Sequence, residues 1–303
     1  ATVHRVMREQ FGADWRENFR EFEDLPRAAA SIGQVHKGVW HDGRPVAVKI
    51  QYPGAGKALL SDFNQLARLG RLFGTLLPGL NIKAVLNELR ERLAEELDYF
   101  HEAEVQHAFA VEYKDDPDFV IPDVIAVNEQ VLITEWLDGT PLSRIIAEGT
   151  QEERNRAGLL FARFLFSSPA RVGILHADPH PGNFRMVGDR LGVFDFGAVN
   201  HLPNGYPPVL GSLIRIFNQG DMATVVAGLR QEGFIQPHIE VDVEALRSFL
   251  APYVEPTRVE EFTFNREWLQ RQAAIAADLR PNNVVRQLNL PPNYVLIHRV
   301  HAA

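Results

Sequence analysis

A short loop containing two prolines, followed by an apolar run that ends in an acidic residue, constrains this chain more than any other feature. The loop is His-Ala-Asp-Pro-His-Pro-Gly-Asn at 176–183, and the apolar run leads into Asp-Phe-Gly at 195–197. Each proline restricts the preceding residue to extended backbone, so the loop is stiff before any ligand arrives. It holds Asp178 and Asn183 five positions apart on a rigid turn, and Asp195 follows the apolar run.

These three side chains have the chemistry of a phosphate-transfer site. A carboxylate such as Asp178 addresses the attacking oxygen, while an amide (Asn183) and a second carboxylate (Asp195) hold Mg²⁺ against the phosphates of a nucleotide. The sequence therefore predicts that the three side chains converge on one cleft.

An alternative chemistry uses the histidines of the same loop. His176, Asp178 and His180 alternate along the chain, so on an extended segment they share one face, and imidazole with carboxylate suits Zn²⁺ or iron. A metal-dependent hydrolase of this kind needs further ligands, and it leaves the lysine-bearing strand described below unexplained. In the phosphate-transfer interpretation, His176 supports the loop.

The composition argues against several classes of protein. The 303 residues carry a formal net charge of −8, which argues against a nucleic-acid partner because phosphate backbones attract clustered Lys and Arg. Cysteine is absent, so disulfides and thiolate metal sites are excluded and a reducing cytoplasm is expected. No apolar run approaches the ~18 residues that span a bilayer. Because the chain starts without Met in a helical pattern, we expect it to be part of a longer protein.

A β-hairpin carries a lysine in an otherwise apolar strand. Two β-type runs at 35–40 and 46–50 are joined by Asp42-Gly43, a dipeptide typical of hairpin turns. Lys49 in the second run is either an edge-strand residue or a buried ammonium that binds the α- and β-phosphates and needs a carboxylate partner. The small residues at 28–34 would lie above those phosphates, where alanines make a stiffer lid than glycines.

The carboxylate partner is expected on a long acidic helix. Apolar periodicity predicts one helix over 82–111. Glu95, Asp98 and Glu102 fall on one stripe of that helix at i, i+3 and i+7, and Glu96 is adjacent. Most acidic residues of the segment are expected on a solvated face of the helix. One of the four named acids is the expected partner of the buried lysine.

Strands are predicted in the first half of the chain, and helices dominate the second. A second strand pair is predicted at 120–127 and 131–136, followed by a connector at 137–141. The predicted class is α+β with two lobes, a strand-containing N-lobe at 1–137 and a helical C-lobe at 138–303. The other predicted helical segments are 3–11, 15–22, 59–80, 151–168, 206–219, 221–233, 242–252 and 266–279.

Taken together, these segments resemble the protein-kinase-like superfamily, and more specifically the UbiB/ADCK-type atypical kinases. The resemblance is carried by the alanine-rich segment 28–36, the strand 46–49, the acids of the long helix, the loop 176–183 and the Asp-Phe-Gly at 195–197. The alanine-rich segment combined with the loop is its most specific part. The resemblance implies a two-lobed protein-kinase-like fold with extra family helices.

The resemblance also implies a role for each candidate residue. The lysine would bind the α- and β-phosphates of ATP and pair with Glu102, which is favoured, or with Glu96. Backbone groups around Glu135 and Leu137 would hold adenine. The implied catalytic residues are Asp178, Lys49 and Glu102, the implied Mg²⁺ ligands are Asn183 and Asp195, and the implied ATP-binding residues are Ala28, Ala29, Ala30, Ser31, Ala47, Lys49, Glu135 and Leu137.

The implied function is that of an ATP- and Mg²⁺-dependent atypical kinase or ATPase that acts on or supports lipid or isoprenoid-quinone metabolism rather than phosphorylating proteins. The alternative is a nucleotide-binding pseudokinase that regulates by changing conformation. The expected partners are ATP or ADP and a lipid or quinone precursor, with peripheral membrane association through segments outside this chain. The family's KxGQ segment, which covers the substrate cleft, is not found and is expected in a missing N-terminal part.

Overall fold

The structure, a computed structural model, contains two compact units. It describes residues 2–30, 32–72, 81–276, 284–291 and 294–301. The first unit comprises Ala1–Asn64, Leu89–Gly205 and Leu296–Ala303, and the second comprises Gln65–Glu88 and Tyr206–Val295. The lobe boundary predicted after residue 137 divides the chain differently and stays a prediction. The predicted α+β class is confirmed.

The elements are numbered in chain order. The α-helices of the described residues are α1 (Thr2–Phe11), α2 (Ala55–Leu72), α3 (Ile82–Glu96), α4 (Tyr99–Glu112), α5 (Leu142–Glu148), α6 (Gln151–Val172), α7 (Pro208–Asn218), α8 (Met222–Gln231), α9 (Val243–Val254), α10 (Arg266–Ala276) and α11 (Val295–His301). The strands are β1 (Phe19–Phe22), β2 (Ala28–Ala30), β3 (Gly33–Trp40), β4 (Pro45–Gln51), β5 (Phe119–Val120), β6 (Val124–Asn128), β7 (Val131–Glu135), β8 (Thr140–Pro141), β9 (Ile174–His176), β10 (Phe184–Val187), β11 (Arg190–Val193) and β12 (Val199–His201).

The strands of the first unit form two larger sheets and one strand pair. The six-stranded sheet has the order β1-β3-β4-β7-β6, with β2 paired to β3, and the four-stranded sheet has the order β5-β11-β10-β8. β9 and β12 pair with each other. The predicted hairpin is confirmed, because β3 and β4 are antiparallel neighbours and Gly43 in their turn has φ = 98°.

The side chains of β4 alternate between the two faces of the six-stranded sheet, and Lys49 lies on the face opposite the hydrophobic core that contains α1. Val46, Val48 and Ile50 are buried in a core that includes residues of α1. Successive side chains of a strand point to opposite faces, so Lys49 projects to the other side of the sheet.

The helix α4 packs on the face of the sheet that carries Lys49. Leu132 of β7, the cross-strand partner of Lys49, packs with Tyr99 and Ala103 of α4. Glu102 belongs to the same helical turn and is 1% exposed. The helix therefore brings a buried carboxylate to the lysine side of the sheet.

The predicted long acidic helix is in fact two helices. α3 and α4 are separated at Leu97-Asp98, and Asp98 has the extended backbone angles φ = −95° and ψ = 98°. Its side chain accepts hydrogen bonds from the amides two and three residues later, at 3.0 and 3.2 Å. Asp98 is therefore the N-cap of α4. The predicted single stripe through Glu95 and Glu102 is wrong.

Replacing Asp98 with Ala is expected to lower the free energy of unfolding by about 1 kcal/mol, because α4 loses its cap. Asp98→Asn keeps an oxygen that can accept the same hydrogen bonds and is expected to retain most of the stability. Urea-induced unfolding followed by circular dichroism measures both variants. Equal losses in the two would contradict the capping role.

Two shorter segments also differ from the prediction. The residues after Asp14 form only one 3₁₀ turn, Trp15–Asn18, and then continue as β1. Extended backbone lets Phe19 and Phe22 pack edge to face against Trp15 in the core. The alanine-rich run is a short strand, β2, antiparallel to β3, rather than a loop.

The remaining predicted elements are shifted or divided. The strand predicted at 120–127 is two strands, since β5 pairs with β11 and β6 pairs with β7. The helix predicted at 59–80 is α2, and residues 73–80 lie outside the described part of the chain. The end of the helix predicted at 266–279 likewise lies outside it, beyond Ala276.

Buried aromatic residues support the β10–β11 hairpin and the segments next to it. Phe164 of α6, Phe184 of β10 and Phe196 are fully buried. The ring of His176, on β9, lies 5.3 Å from the ring centroids of both Phe184 and Phe196. The loop between His176 and Phe184 is thus anchored at both ends in packed aromatic core.

The second unit has a helical core. Phe217 of α7, Met222 and Val225 of α8, and Leu246 and Val254 of α9 are buried together. Across the described ranges of the chain, no helix combines the length and the apolar character needed to cross a membrane.

Candidate functional site

The ammonium of Lys49 contacts two carboxylates. Its Nζ donates to Oε1 and Oε2 of Glu102 at 2.8 and 3.0 Å and to Oδ1 of Asp195 at 3.2 Å. The Lys49 and Glu102 side chains are 15% and 2% exposed, whereas that of Asp195 is 35% exposed. The structure thus pairs Lys49 with Glu102, and the side chain of Glu96 lies outside the described residues.

The charges of Lys49 and Asp195 keep each other ionised. Burial lowers the pKa of Lys49, but Asp195 and Glu102 more than offset it and hold that pKa above its usual value. Burial raises the pKa of Asp195, and the charge and hydrogen bond of Lys49 more than offset it, so that this pKa lies below its usual value. At neutral pH the site therefore contains an ammonium and an ionised Asp195.

The proline-containing loop joins Asp178 to Asn183. Pro181–Asn183 forms a 3₁₀ turn, and Nδ1 of His180 accepts a hydrogen bond from the Gly182 amide at 3.0 Å. Nδ2 of Asn183 donates to Oδ2 of Asp178 at 2.7 Å. Because an amide hydrogen of Asn183 is directed at Asp178, its Oδ1 is the atom presented as an acceptor to other groups.

The backbone of Asp195 is held in the left-handed region. Asp195 has φ = 65°, a conformation that Asp and Asn adopt more readily than most residues with a side chain. Nε2 of the buried His176 donates to the Asp195 carbonyl at 2.9 Å. Burial lowers the pKa of His176, so the ring is neutral at neutral pH. These contacts fit the supporting role expected for His176.

The three residues of the alternative metal site engage different partners. His176 binds the Asp195 carbonyl, Asp178 accepts from Asn183, and His180 accepts from a backbone amide. In the part of the chain that the structure describes, no group of three or more His, Asp or Glu side chains is placed to hold a metal ion. The geometry therefore favours the phosphate-transfer interpretation.

One cleft collects most of the predicted residues. Asp178 does not line this cleft but is hydrogen-bonded to a residue that does, and Ser31 lies outside the described residues. The predicted residues that line the cleft are Ala28, Ala29, Ala30, Ala47, Lys49, Glu102, Glu135, Leu137, Asn183 and Asp195.

The oxygen donors of the cleft suit Mg²⁺. The ion prefers hard oxygen ligands from one or two side chains and completes its shell with water and substrate phosphates. The Asp195 carboxylate and the Asn183 carbonyl oxygen are donors of this type, and both line the cleft beside Lys49. These two residues fit the metal that the resemblance implies.

Comparison with known proteins decides the family. A family model described as an ABC1 atypical kinase-like domain matches residues 1–227. The chain belongs to the ABC1 atypical kinase-like family. The predicted resemblance to UbiB/ADCK-type kinases is thereby confirmed, and so is the protein-kinase-like fold.

The ABC1-family chain has relatives in several organisms. It is 32% identical over 251 residues to atypical kinase COQ8B, mitochondrial, of Danio rerio, a match that covers 78% of this chain and 40% of the relative. It is 34% identical over 241 residues to atypical kinase coq-8, mitochondrial, of Caenorhabditis elegans, covering 77% of this chain and 32% of the relative. The chain therefore spans less than half the length of these two relatives.

A solved structure extends the ABC1-family comparison to nearly the whole chain. The complex of Rv3197 with erythromycin, from Mycobacterium tuberculosis, is 40% identical with a TM-score of 0.76. The match covers 97% of this chain and 82% of the other.

Several residues of the ABC1-family cleft were not predicted from the sequence. One signal would have found two of them. Val35 and Leu132 are the cross-strand partners of Lys49, and directly paired residues of neighbouring strands lie on the same face of a sheet. The unpredicted lining residues are Arg27, Val35, Gln106, Pro122, Leu132, Thr134, Trp136, Gly182, Arg185 and Phe194.

Proposed function

We propose that this chain is the nucleotide-binding and phosphoryl-transfer domain of an ATP- and Mg²⁺-dependent atypical kinase or ATPase. One observation carries the proposal. Nζ of Lys49, from the six-stranded sheet, lies 3.2 Å from Asp195 in a cleft that Asn183 also lines. An ammonium and two oxygen ligands of different elements thus face one space, as a metal-bound triphosphate requires.

Each polar residue of the cleft has a distinct task in this proposal. Lys49 binds the α- and β-phosphates, and Glu102 holds its ammonium in place. Asn183 and Asp195 hold Mg²⁺, which when bound neutralises charge on the phosphates. Asp178 accepts the proton of the attacking hydroxyl or water.

Backbone groups at the end of β7 and the start of the connector bind the base in this proposal. The amides of Glu135 and Trp136 donate to the carbonyls of Asp123 and Pro45, both at 2.9 Å. Since those amides already have protein acceptors, recognition of the base edge uses the carbonyl of Glu135 and the backbone of Leu137. The alanines of β2 cover the phosphates from above.

The proposed acceptor is a small molecule, with lipids and isoprenoid-quinone precursors favoured over protein side chains. The family resemblance supports this choice. Erythromycin belongs in the same ligand screen, because the mycobacterial relative was solved with it. The screen is ATP-dependent phosphate release measured with each compound added separately.

Asp178→Asn is expected to lower the rate of phosphate release from MgATP by about 10²–10⁴-fold, because the variant loses its proton acceptor. Nucleotide affinity is expected to stay close to that of the wild type, since Asp178 does not line the cleft. A phosphate-release assay and a binding titration measure the two quantities. Asp189→Asn, at an exposed position in the turn between β10 and β11, is the matched control and is expected to retain full activity.

The same assay separates the enzyme from the second candidate, a nucleotide-binding pseudokinase. A pseudokinase binds MgATP but releases no phosphate with any acceptor, and its Asp178→Asn variant behaves like the wild type. Equal turnover in an active wild type and the Asn variant would show that Asp178 is not the catalytic group.

A further inference from the structure

The strands β1 and β2 pair with the same strand, β3, and the chain between them leaves the six-stranded sheet. The pairing of β1 with β3 ends at Phe22 and Gly38, and the pairing of β2 with β3 starts at Ala28 and Val35. Residues 23–27, here called the arch, connect the two paired stretches. Because the arch leads directly into β2, its shape sets where the alanines of β2 lie at the cleft.

The ring of His36 closes the arch. His36 is fully buried, and its Nδ1 lies 2.8 Å from the Glu23 carbonyl oxygen, at the first residue of the arch. Its Nε2 lies 3.0 Å from Nε2 of Gln34, and its ring stacks on Phe22 with the ring centroids 5.2 Å apart. A carbonyl oxygen accepts and an amide nitrogen donates, so the His36 proton is on Nδ1 and its Nε2 is the acceptor. Both ring nitrogens are thus engaged, which fixes the orientation of the ring.

His36 acts from the face of the sheet opposite the cleft. Its cross-strand partner on β4 is Val48, which is buried in the core that contains α1. Val35, the preceding residue of β3, is paired with Lys49 and lines the cleft with it. His36 does not line the cleft, so any effect that it has on a bound nucleotide passes through the arch.

Ion pairs also hold the arch, but they lie at the protein surface. Arg27 donates to both carboxylate oxygens of Glu23, and Arg16 donates to Asp24 at 2.8 Å. All four side chains are exposed, and exposed ion pairs contribute little and are screened by salt. The bond from the fully buried His36 ring is less accessible to water, so losing its donor is more costly.

We propose that His36 is a positioning residue, which places the alanines of β2 over the phosphates of a bound nucleotide. The hydrogen bond from its Nδ1 holds the Glu23 carbonyl at the start of the arch and thereby fixes the path of the chain into β2. This inference rests on the proposed nucleotide-binding function. It gives a side chain outside the cleft a part in the affinity for phosphates.

Two amide substitutions separate this role from general support of the core. In His36→Asn the side-chain NH₂ takes about the position of Nδ1 and keeps the bond to the Glu23 carbonyl. In His36→Gln the NH₂ lies one bond farther out, at about the position of Nε2, so that bond is lost.

The test measures the binding of MgATP, inorganic tripolyphosphate and adenosine in competition with a fluorescent ATP analogue. His36→Gln is expected to weaken MgATP and tripolyphosphate binding about 10-fold, the effect of one lost hydrogen bond. His36→Asn is expected to retain most of the affinity for both. Adenosine has no phosphates, so its affinity is expected to be the same in the wild type and in both variants.

Val6→Ala is the matched control for a loss of core packing. Val6 lies on α1, is fully buried in the core that contains Val48, and does not line the cleft. This variant is expected to be less stable but to keep all three affinities. Circular dichroism confirms that each variant is folded. If His36→Gln does not fold, His36→Phe takes its place, because it keeps a ring against Phe22 but has no donor, and the same loss is expected.

Two results overturn the inference and leave the proposed function standing. In the first, the wild type binds tripolyphosphate and the variant without the donor binds it equally well. In the second, His36→Asn or Val6→Ala loses as much affinity as His36→Gln, so that the loss reflects core packing and not the bond to Glu23. A wild type that binds neither MgATP nor tripolyphosphate would instead refute the proposed function, and the inference with it.

Discussion

Asp195→Asn is expected to lower kcat/KM for MgATP turnover by about 10³-fold, because the site loses the anionic ligand that would hold the Mg²⁺ that neutralises charge on the phosphates. The substitution preserves the size of the side chain. Asn also tolerates the left-handed backbone found at this position. The loss therefore reports the missing charge rather than a rearranged loop.

The measurement is phosphate release as a function of Mg²⁺ concentration. The Asn variant is expected to need far more Mg²⁺ for any residual activity, since one neutral amide replaces a carboxylate. Asp189→Asn again serves as the control. A variant with wild-type Mg²⁺ dependence would remove Asp195 from the metal site.

Glu102→Gln is expected to lower the free energy of unfolding of the first unit by about 3 kcal/mol, the lower end of the cost of breaking a buried ion pair. The Glu102 side chain is 2% exposed and that of Lys49 is 15% exposed, so water replaces little of the lost interaction. Asp195, at 3.2 Å from Nζ, still neutralises part of the lysine charge. That remaining contact places the expected loss at the lower end.

Tryptophan fluorescence can follow the first unit separately. Of the four Trp residues, Trp15, Trp40 and Trp136 belong to the first unit and Trp268 belongs to the second. In a Trp268→Phe background, urea unfolding followed by fluorescence reports on the first unit. Glu104→Gln, at an exposed position of α4, is the control and is expected to change stability by less than about 0.5 kcal/mol.

A double-mutant cycle tests whether the effect of Glu102 comes from Lys49. Lys49→Met with Glu102→Leu removes both charges and is expected to be more stable than the sum of the single losses predicts, because apolar pairs replace buried ion pairs at little cost. Additive losses would mean that Glu102 stabilises α4 through some other contact.

The polar residues were predictable where chemistry and local pattern agree. Few structural or functional roles fit each of three sequence features. These features are a lysine in an apolar strand, a loop restricted by two prolines, and an acid after an apolar run. The structure brings Lys49, Asn183 and Asp195 into one cleft. Their roles remain predictions until the assays above are done.

Two predictions about secondary structure were wrong for different reasons. One overlooked a side chain that caps a helix, and the other overlooked strand pairing. Asp98 fits the helical periodicity of its neighbours, but its carboxylate caps α4 and ends the continuous helix. The alanines of β2 have low strand propensity, yet they pair with β3, because tertiary pairing overrides a weak local preference. Neither the capping by Asp98 nor the pairing of β2 with β3 can be predicted from the spacing of apolar residues in the sequence.

Arg185 shows a different limit of sequence reasoning. It belongs to no predicted motif, yet it lines the cleft next to Trp136, which is 49 positions earlier in the chain. The pairing of β10 with β8, a two-residue strand at the end of the connector, brings the two together. A contact between two such distant residues follows from strand order, which the sequence pattern left undetermined.

The φ of 65° at Asp195 restricts which residues can replace it over time. Most side chains pay about 1–2 kcal/mol in that region, whereas Asn and Gly enter it more readily. Glu keeps the charge but meets the steric penalty and carries its carboxylate one methylene farther out. If the chain catalyses phosphoryl transfer as proposed, relatives that have lost this activity are therefore expected to carry Asn or Gly at this position more often than other residues.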